Sequence, residues 1–147
     1  MLKGIDPLLT PDLLWVLGAM GHGDDLALVD ANFPAESIAA ETCSRRLVRL
    51  PGVSLERAAA AVLSVFPLDG YVDDPVRRME VVGDPDKLPE VQRLVLDLVK
   101  SLTPAPIVRG IERFAFYAVA RQAFAVVQVG DLRAYGCFLL RKGIITA

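Results

Sequence analysis

The sequence predicts a single α/β domain over residues 1–147, a mixed sheet covered by helices on both faces, three layers in all. Three observations lead there. Helical segments alternate with short strand-like runs along the whole chain. The clearest runs are continuously apolar, as in strands buried on both faces. No Pro-, Gly- or Ser-rich linker divides the 147 residues, a length suited to one domain.

Thr10-Pro11-Asp12 opens the first helix: a capping hydroxyl, a proline where a lost N–H costs nothing, and an acid at the positive end of the dipole. Leu13, Leu14, Val16, Leu17 and Met20 continue it, and Gly21 stands where a left-handed cap would end it. Leu26–Val29 is an apolar run closed by Asp30 and reads as a buried strand; 43–50 is a weaker strand ended by Pro51-Gly52. Ser54 caps a helix over 55–66 that Pro67 stops. Residues 76–82 are rich in β-branched side chains and end at Gly83, a strand; 85–88 is a loop. Val91, Leu94, Val95, Leu98 and Leu102 recur with helical spacing. The pattern then gives a strand over 107–111, a short helix over 114–122, and closing strands over 124–129 and 135–140.

Composition narrows the function. Eighteen acidic against sixteen basic residues leave a net charge of −2, with no basic field for a phosphate backbone, so nucleic acid is excluded as a partner. Hydrophobic residues make up 53% and the mean hydropathy is +0.41, high for a chain this small. A monomer of this size buries only about 70% of its unfolded surface, so the excess points to a homo-oligomer. The longest apolar helical run, Leu13–Met20, falls far short of the roughly 20 residues of a membrane span, and no secretory signal opens the chain. Cys43 and Cys137 are widely separated and form neither a disulfide framework nor a metal pair. A cytoplasmic, reduced protein is expected.

His22, the only histidine, lies in Gly21-His22-Gly23-Asp24-Asp25, directly before the first apolar strand. Imidazole titrates near neutrality and suits proton transfer at a substrate oxygen, and the glycines leave room beside the ring. Asp24 or Asp25 can hold the second ring nitrogen. On pattern alone a surface-loop histidine is an equal reading. One histidine without cysteine at ligand spacing argues against a transition metal; Mg²⁺ on Asp24 and Asp25 stays open beside two solvated acids. Gly21-x-Gly23 follows a helix and precedes two acids, so it is no phosphate cradle. Asp30, at the carboxyl end of the first strand, can bind a sugar diol or close a turn, and Asp69 in Pro67-Leu68-Asp69-Gly70-Tyr71 carries the same choice, with the turn favoured by Gly70. Arg113, Tyr117 and Tyr135 supply a cation and two phenols fit to line a sugar pocket, while Phe114, Phe116 and Tyr117 are more often plain core. No serine or threonine stands in a nucleophile elbow.

Four segments together carry a resemblance: Met20-Gly21-His22-Gly23-Asp24, Asp30-Ala31-Asn32-Phe33-Pro34, Arg113-Phe114-Ala115-Phe116-Tyr117, and Tyr135-Gly136 ahead of Leu139-Leu140-Arg141-Lys142-Gly143. With Met1-Leu2-Lys3-Gly4-Ile5 and Pro7-Leu8-Leu9 at the start, the chain resembles the fucose mutarotase and ribose pyranase family over essentially its whole length. The resemblance implies a ribose-pyranase-like fold and interconversion of the α and β anomers of a monosaccharide, without metal or cofactor. It also implies a ring-shaped homo-oligomer, often a decamer of two stacked pentamers, with sites near subunit contacts. By motif, His22 would be the general acid/base; Asp24 stays the candidate, from the residues themselves, to stand behind it. Asp30 and Asp69 would bind sugar hydroxyls, and Arg113, Tyr117, Tyr135 and the residue at Cys137 would complete the pocket. Arg113 fits the fucose-type members, since the ribose-type members usually carry histidine there. Pyranose–furanose interconversion of a ribose-like sugar and non-catalytic sugar binding are the alternatives. Two departures stand out: Cys137 replaces the usual asparagine, and Asp25 adds an acid with no assigned role.

Overall fold

The computed structural model describes residues 2–146; Met1 and Ala147, the ends of the expected domain, lie outside the described residues. In chain order the elements are α1 (Pro11–Ala19), β1 (Asp25–Val29), α2 (Ala35–Ala39), β2 (Leu47–Leu50), α3 (Leu55–Leu63), β3 (Val76–Met79), α4 (Glu90–Lys100), β4 (Val108–Ile111), α5 (Arg113–Arg121), β5 (Ala125–Val129) and β6 (Cys137–Arg141).

The strands form one sheet in the order β2-β5-β1-β6-β3-β4. β1 pairs in parallel with β5, β5 with β2, and β3 with β4; β6 runs antiparallel between β1 and β3. Five strands therefore point one way and β6 alone is reversed. All five residues of β1 are buried, and after Asp25 its sequence is a continuous apolar run, Leu26–Val29. Alternate residues feed two cores. Leu26, Leu28, Val127, Phe138 and Leu140 pack with α1, α3 and α4. Ala27, Val29, Val126, Cys137 and Leu139 pack with α2 and α5. This is the expected three-layer α/β domain with a mixed sheet.

Local differences have local causes. Thr10 caps α1 as expected, its hydroxyl accepting from the Leu13 N–H. The helix nevertheless ends on an extended Met20 and not on a left-handed Gly21, because the Lys142 ammonium satisfies the Leu17 and Met20 carbonyls at 2.6 Å each. The left-handed glycine is Gly23, at φ +86°. Ser54 occupies the N-cap of α3, but its hydroxyl accepts no helix N–H; the carboxylate of Asp131, beyond β5, accepts from Leu55 N instead. The short helix α2 has no sequence signal beyond Pro34, being five residues long. β2 forms only over its last four residues and β3 ends at Met79, where Val81 bridges to Asp84 in a turn. Tyr135 lies outside β6, in the left-handed region at φ +66°.

Candidate active site

The parallel strands give the sheet a carboxyl edge and an amino edge, and the candidate residues divide between them. At the carboxyl edge, Asp30 follows β1, Met79 ends β3, Arg113 starts the helix after β4, and Tyr135 and Cys137 lead into the reversed β6. Together with Asn32, Phe33, Tyr117 and Ala134 they line a cleft of about 220 Å³. This is where α/β sheets place ligands.

Asp30 is nearly fully buried at the cleft floor. Its Oδ1 accepts from Asn32 N at 2.9 Å, and its Oδ2 from Gly136 N at 2.9 Å and from the Cys137 thiol at 3.6 Å. Burial pushes its carboxyl above the usual carboxylate range, with the N–H donors opposing. The loop carrying it is held by Gln128, whose amide donates to the carbonyls of Asp30, Ala31 and Phe33. Burial, with the Asp30 charge beside it, pushes the Cys137 thiol far up, so it stays protonated and donates toward that carboxylate.

Arg113 projects from the first turn of α5, where a cation is unfavourable to the helix dipole, and its Nε donates to the Tyr117 hydroxyl at 3.1 Å. Glu112 caps that turn by accepting from Phe114 N and Ala115 N. Tyr135 is kept in its unfavourable backbone region by Gln92. This fully buried glutamine of α4 donates at 2.8 Å to the Tyr135 carbonyl and at 2.7 Å to that of Met79. The Tyr135 hydroxyl accepts from Val82 N at 3.4 Å. Met79, Asn32 and Gln92 are additions to the residues singled out above. Gln92 alone left a trace, a polar side chain among the buried Val91, Val95, Leu96 and Val99 of its helix.

At the amino edge stands His22. Its loop is fixed by Asp24, which accepts from Gly21 N at 2.7 Å, and by Lys142, whose carbonyl accepts from Gly23 N and whose N–H donates to the Asp24 carbonyl, both at 2.8 Å. Neither Asp24 nor Asp25 touches the imidazole, contrary to expectation: Asp24 is spent on its own turn and Asp25 on two arginines. The ring partner is Asp69, with Oδ2 at 3.2 Å from His22 Nε2. The Asp69 side chain is 2% exposed and His22 is 48% exposed, so a buried carboxylate orients a half-exposed ring. Burial alone would push the Asp69 carboxyl up; the Tyr71 N–H on its Oδ1, then His22 and the Arg141 charge, outweigh it and hold Asp69 below the usual range. Tyr71, unforeseen in the sequence, also presents its ring edge-on to His22 at 5.9 Å. A larger cleft of about 660 Å³ opens beside Asp69 and Tyr71, walled by Phe66, Leu102 and Ile107.

Asp24 and Asp30 flank β1, six residues apart, which at strand rise is roughly 20 Å. One chain therefore brings Asp30, Arg113, Tyr117, Tyr135 and Cys137 together, and His22 with Asp69, but not the two groups to each other. Among the described residues no helix is long and apolar enough to cross a membrane.

Comparison with known proteins gives a consistent result. The L-fucose mutarotase of Glaesserella parasuis serovar 5 (strain SH0165) is 41% identical, covering 98% of this chain and 96% of its own. The fucose mutarotase of Homo sapiens is 44% identical over 98% and 94%. The crystal structure of the fucose mutarotase in complex with L-fucose from Streptococcus pneumoniae superposes with a TM-score of 0.85 at 31% identity, covering 99% of this chain and all of that one. The model of the RbsD / FucU transport protein family matches residues 3–145, and the chain belongs to that family.

Proposed function

We propose that this protein is a sugar mutarotase, an isomerase that interconverts the α and β anomers of L-fucose, working as a homo-oligomer in the cytoplasm. The observation that carries the reading is the His22–Asp69 pair, a half-exposed imidazole set by a buried carboxylate. The relatives' names supply the sugar, and Arg113 in the cleft favours fucose over a ribose-type substrate.

Mutarotation removes a proton from the anomeric hydroxyl and delivers one to the ring oxygen. The ring opens to the aldehyde, the C1–C2 bond rotates, and the steps reverse on the other face. With Asp69 accepting at Nε2, that nitrogen keeps the proton and Nδ1 presents its lone pair to the sugar. His22 takes the anomeric proton and returns it on closure. Asp30 and Arg113 hold sugar hydroxyls, and the apolar walls of Phe33, Met79 and Cys137 receive C–H surface. The Tyr117 hydroxyl, accepting from Arg113, keeps its own proton free to give to the ring oxygen.

Because the two groups stand at opposite sheet edges, each working site takes its His22 and Asp69 from a neighbouring subunit. Exposed Phe114 and Leu132 lie close in sequence to the cleft residues Arg113 and Ala134, and Tyr71 and Ile107 line the larger cleft; these give that contact its apolar surface. A ring of such contacts is the expected decamer.

The test is NMR exchange between anomeric signals of L-fucose, D-ribose, D-galactose and L-rhamnose, with wild type and His22→Ala. Accelerated fucose exchange lost in a folded His22→Ala supports the reading. Acceleration only for ribose moves the protein to the pyranase type. Binding without acceleration makes it a sugar-binding oligomer.

A further inference from the structure

Asp25 had no role in the sequence, and the structure surrounds it with charge. Its side chain, 10% exposed, accepts from Arg141 in a fork, Nε to Oδ1 at 3.1 Å and Nη2 to Oδ2 at 3.0 Å. Arg77 Nη2 approaches Oδ1 at 2.5 Å. Arg77 meets Asp25 as a charge, and its buried Nε and Nη2 have no hydrogen-bond partner among the described residues. By strand alternation Asp25, Arg77 and Arg141 share the α2/α5 face of the sheet, at the amino edge. Two guanidinium groups on one carboxylate leave a surplus positive charge in a poorly solvated place.

The nearest use of that surplus would harm the site. Asp69 donates its backbone N–H to the Arg141 carbonyl at 3.0 Å, which puts its carboxylate within reach of a freed Arg141 side chain. The charges facing Arg141 are Asp25, Asp74 and Asp69, and those facing Asp69 are His22 and Arg141. A guanidinium moving onto Asp69 would displace His22 Nε2 from its one carboxylate partner among the described residues. We infer that Asp25 is a positioning residue for the reaction: it holds Arg141 away from Asp69, so that Asp69 remains the partner of His22. Arg77 anchors Asp25 in that task by closing the other side of the same carboxylate. The inference rests on the reading of His22 as the acid/base of the proposed mutarotase.

The experiment compares Asp25→Asn, Arg141→Gln and the double variant as the assembled protein. It reads fucose exchange kinetics and the ¹⁵N signals of the imidazole, which belong to His22 alone because the chain has one histidine. In Asp25→Asn, kcat is expected to fall at least about tenfold, within the share a positioned acid/base supplies, with KM within about twofold. The His22 signals leave the Nε2-protonated pattern for a tautomer mixture. Arg141→Gln keeps the wild-type kcat and spectrum, and the double variant regains most of both. A double variant as impaired as Asp25→Asn, or an unaltered Asp25→Asn, overturns the inference. Should Asp25→Asn not fold, Asp25→Ser takes its place with the same expected outcomes: a His22 spectrum left at the wild-type tautomer overturns the inference, and a tautomer mixture that Arg141→Gln reverses upholds it. If the wild type accelerates no sugar, the mutarotase reading fails by itself, while the His22 spectra still test the contact.

Discussion

Subunit mixing tests the division of the site most directly. His22→Ala and Asp30→Asn each remove one half of the proposed site: the first the imidazole of the amino edge, proposed to carry the proton, the second the carboxylate of the carboxyl edge, proposed to anchor the sugar. A general base must come within about 3 Å of the proton it takes. The roughly 20 Å between the edges, from six residues of β1 at strand rise, rules out one sugar touching both halves of one chain. Each variant alone is expected to lose about 10²-fold or more. In a randomly assembled equal mixture, half of the subunits supply an intact His22 and half an intact Asp30. A site drawing one half from each of two neighbours is whole in about one quarter of cases, so activity returns to about 25% of wild type. The assay is anomer exchange before and after dissociation and reassembly, with sedimentation to confirm oligomers of wild-type size. Activity that stays at the average of the two parents refutes a site shared between subunits, and so does a stable monomer with wild-type exchange.

Three further outcomes follow from particular contacts. Gln92→Leu strips the Tyr135 and Met79 carbonyls of their buried donor and should cost about 2–3 kcal/mol in urea unfolding while raising KM for the sugar; an unchanged KM would separate Gln92 from the cleft. Gly143→Ala drives a methyl into the Leu68 carbonyl and the Asp69 backbone, so kcat should fall with KM held, and an unaltered kcat would show that Asp69 tolerates displacement. Asp131, held at about 2 against 3.8 chiefly by Arg133, stabilises the fold fully above about pH 4 and loses that contribution as pH falls toward 2. The shift corresponds to about 2 kcal/mol, which solvent at the one-third-exposed Arg133 reduces to about 1. Asp131→Asn should flatten the acid limb of the stability curve by that amount; an identical limb would refute the assignment.

The sheet was legible because burial writes itself directly into sequence. Leu26–Val29 of β1 and Ala125–Val127 of β5 are buried on both faces and therefore read as apolar runs, and α4 shows its buried face at helical spacing. What failed were features decided by partners distant in the chain. Ser54 has the right residue for a cap, but the carboxylate that caps the helix comes from Asp131, far along the chain. Gly21 looked like a helix terminator, yet the carbonyls it would have covered are taken by Lys142 from the far end of the domain. The five residues of α2 are too few for periodicity to show.

The site divides along the same line. The residues of the carboxyl edge stood out one by one, as a strand-end acid, a cation and phenols, because their types are unusual at those places. The pairing of His22 was not, since the nearest acids in sequence, Asp24 and Asp25, were the natural partners. Each is consumed by a stronger local claim: Asp24 closes the turn on Gly21 N, and Asp25 meets two arginines that alternation sends to its own face. That leaves the imidazole to Asp69, which β6 delivers through the Arg141 carbonyl. Register, and not proximity in sequence, thus chooses the histidine's partner. A one-residue slip of β6 against β1 would turn Arg141 to the opposite face and take its guanidinium off Asp25. The antiparallel strand in an otherwise parallel sheet is therefore what sets both the His22–Asp69 pair and the charge cluster beside it.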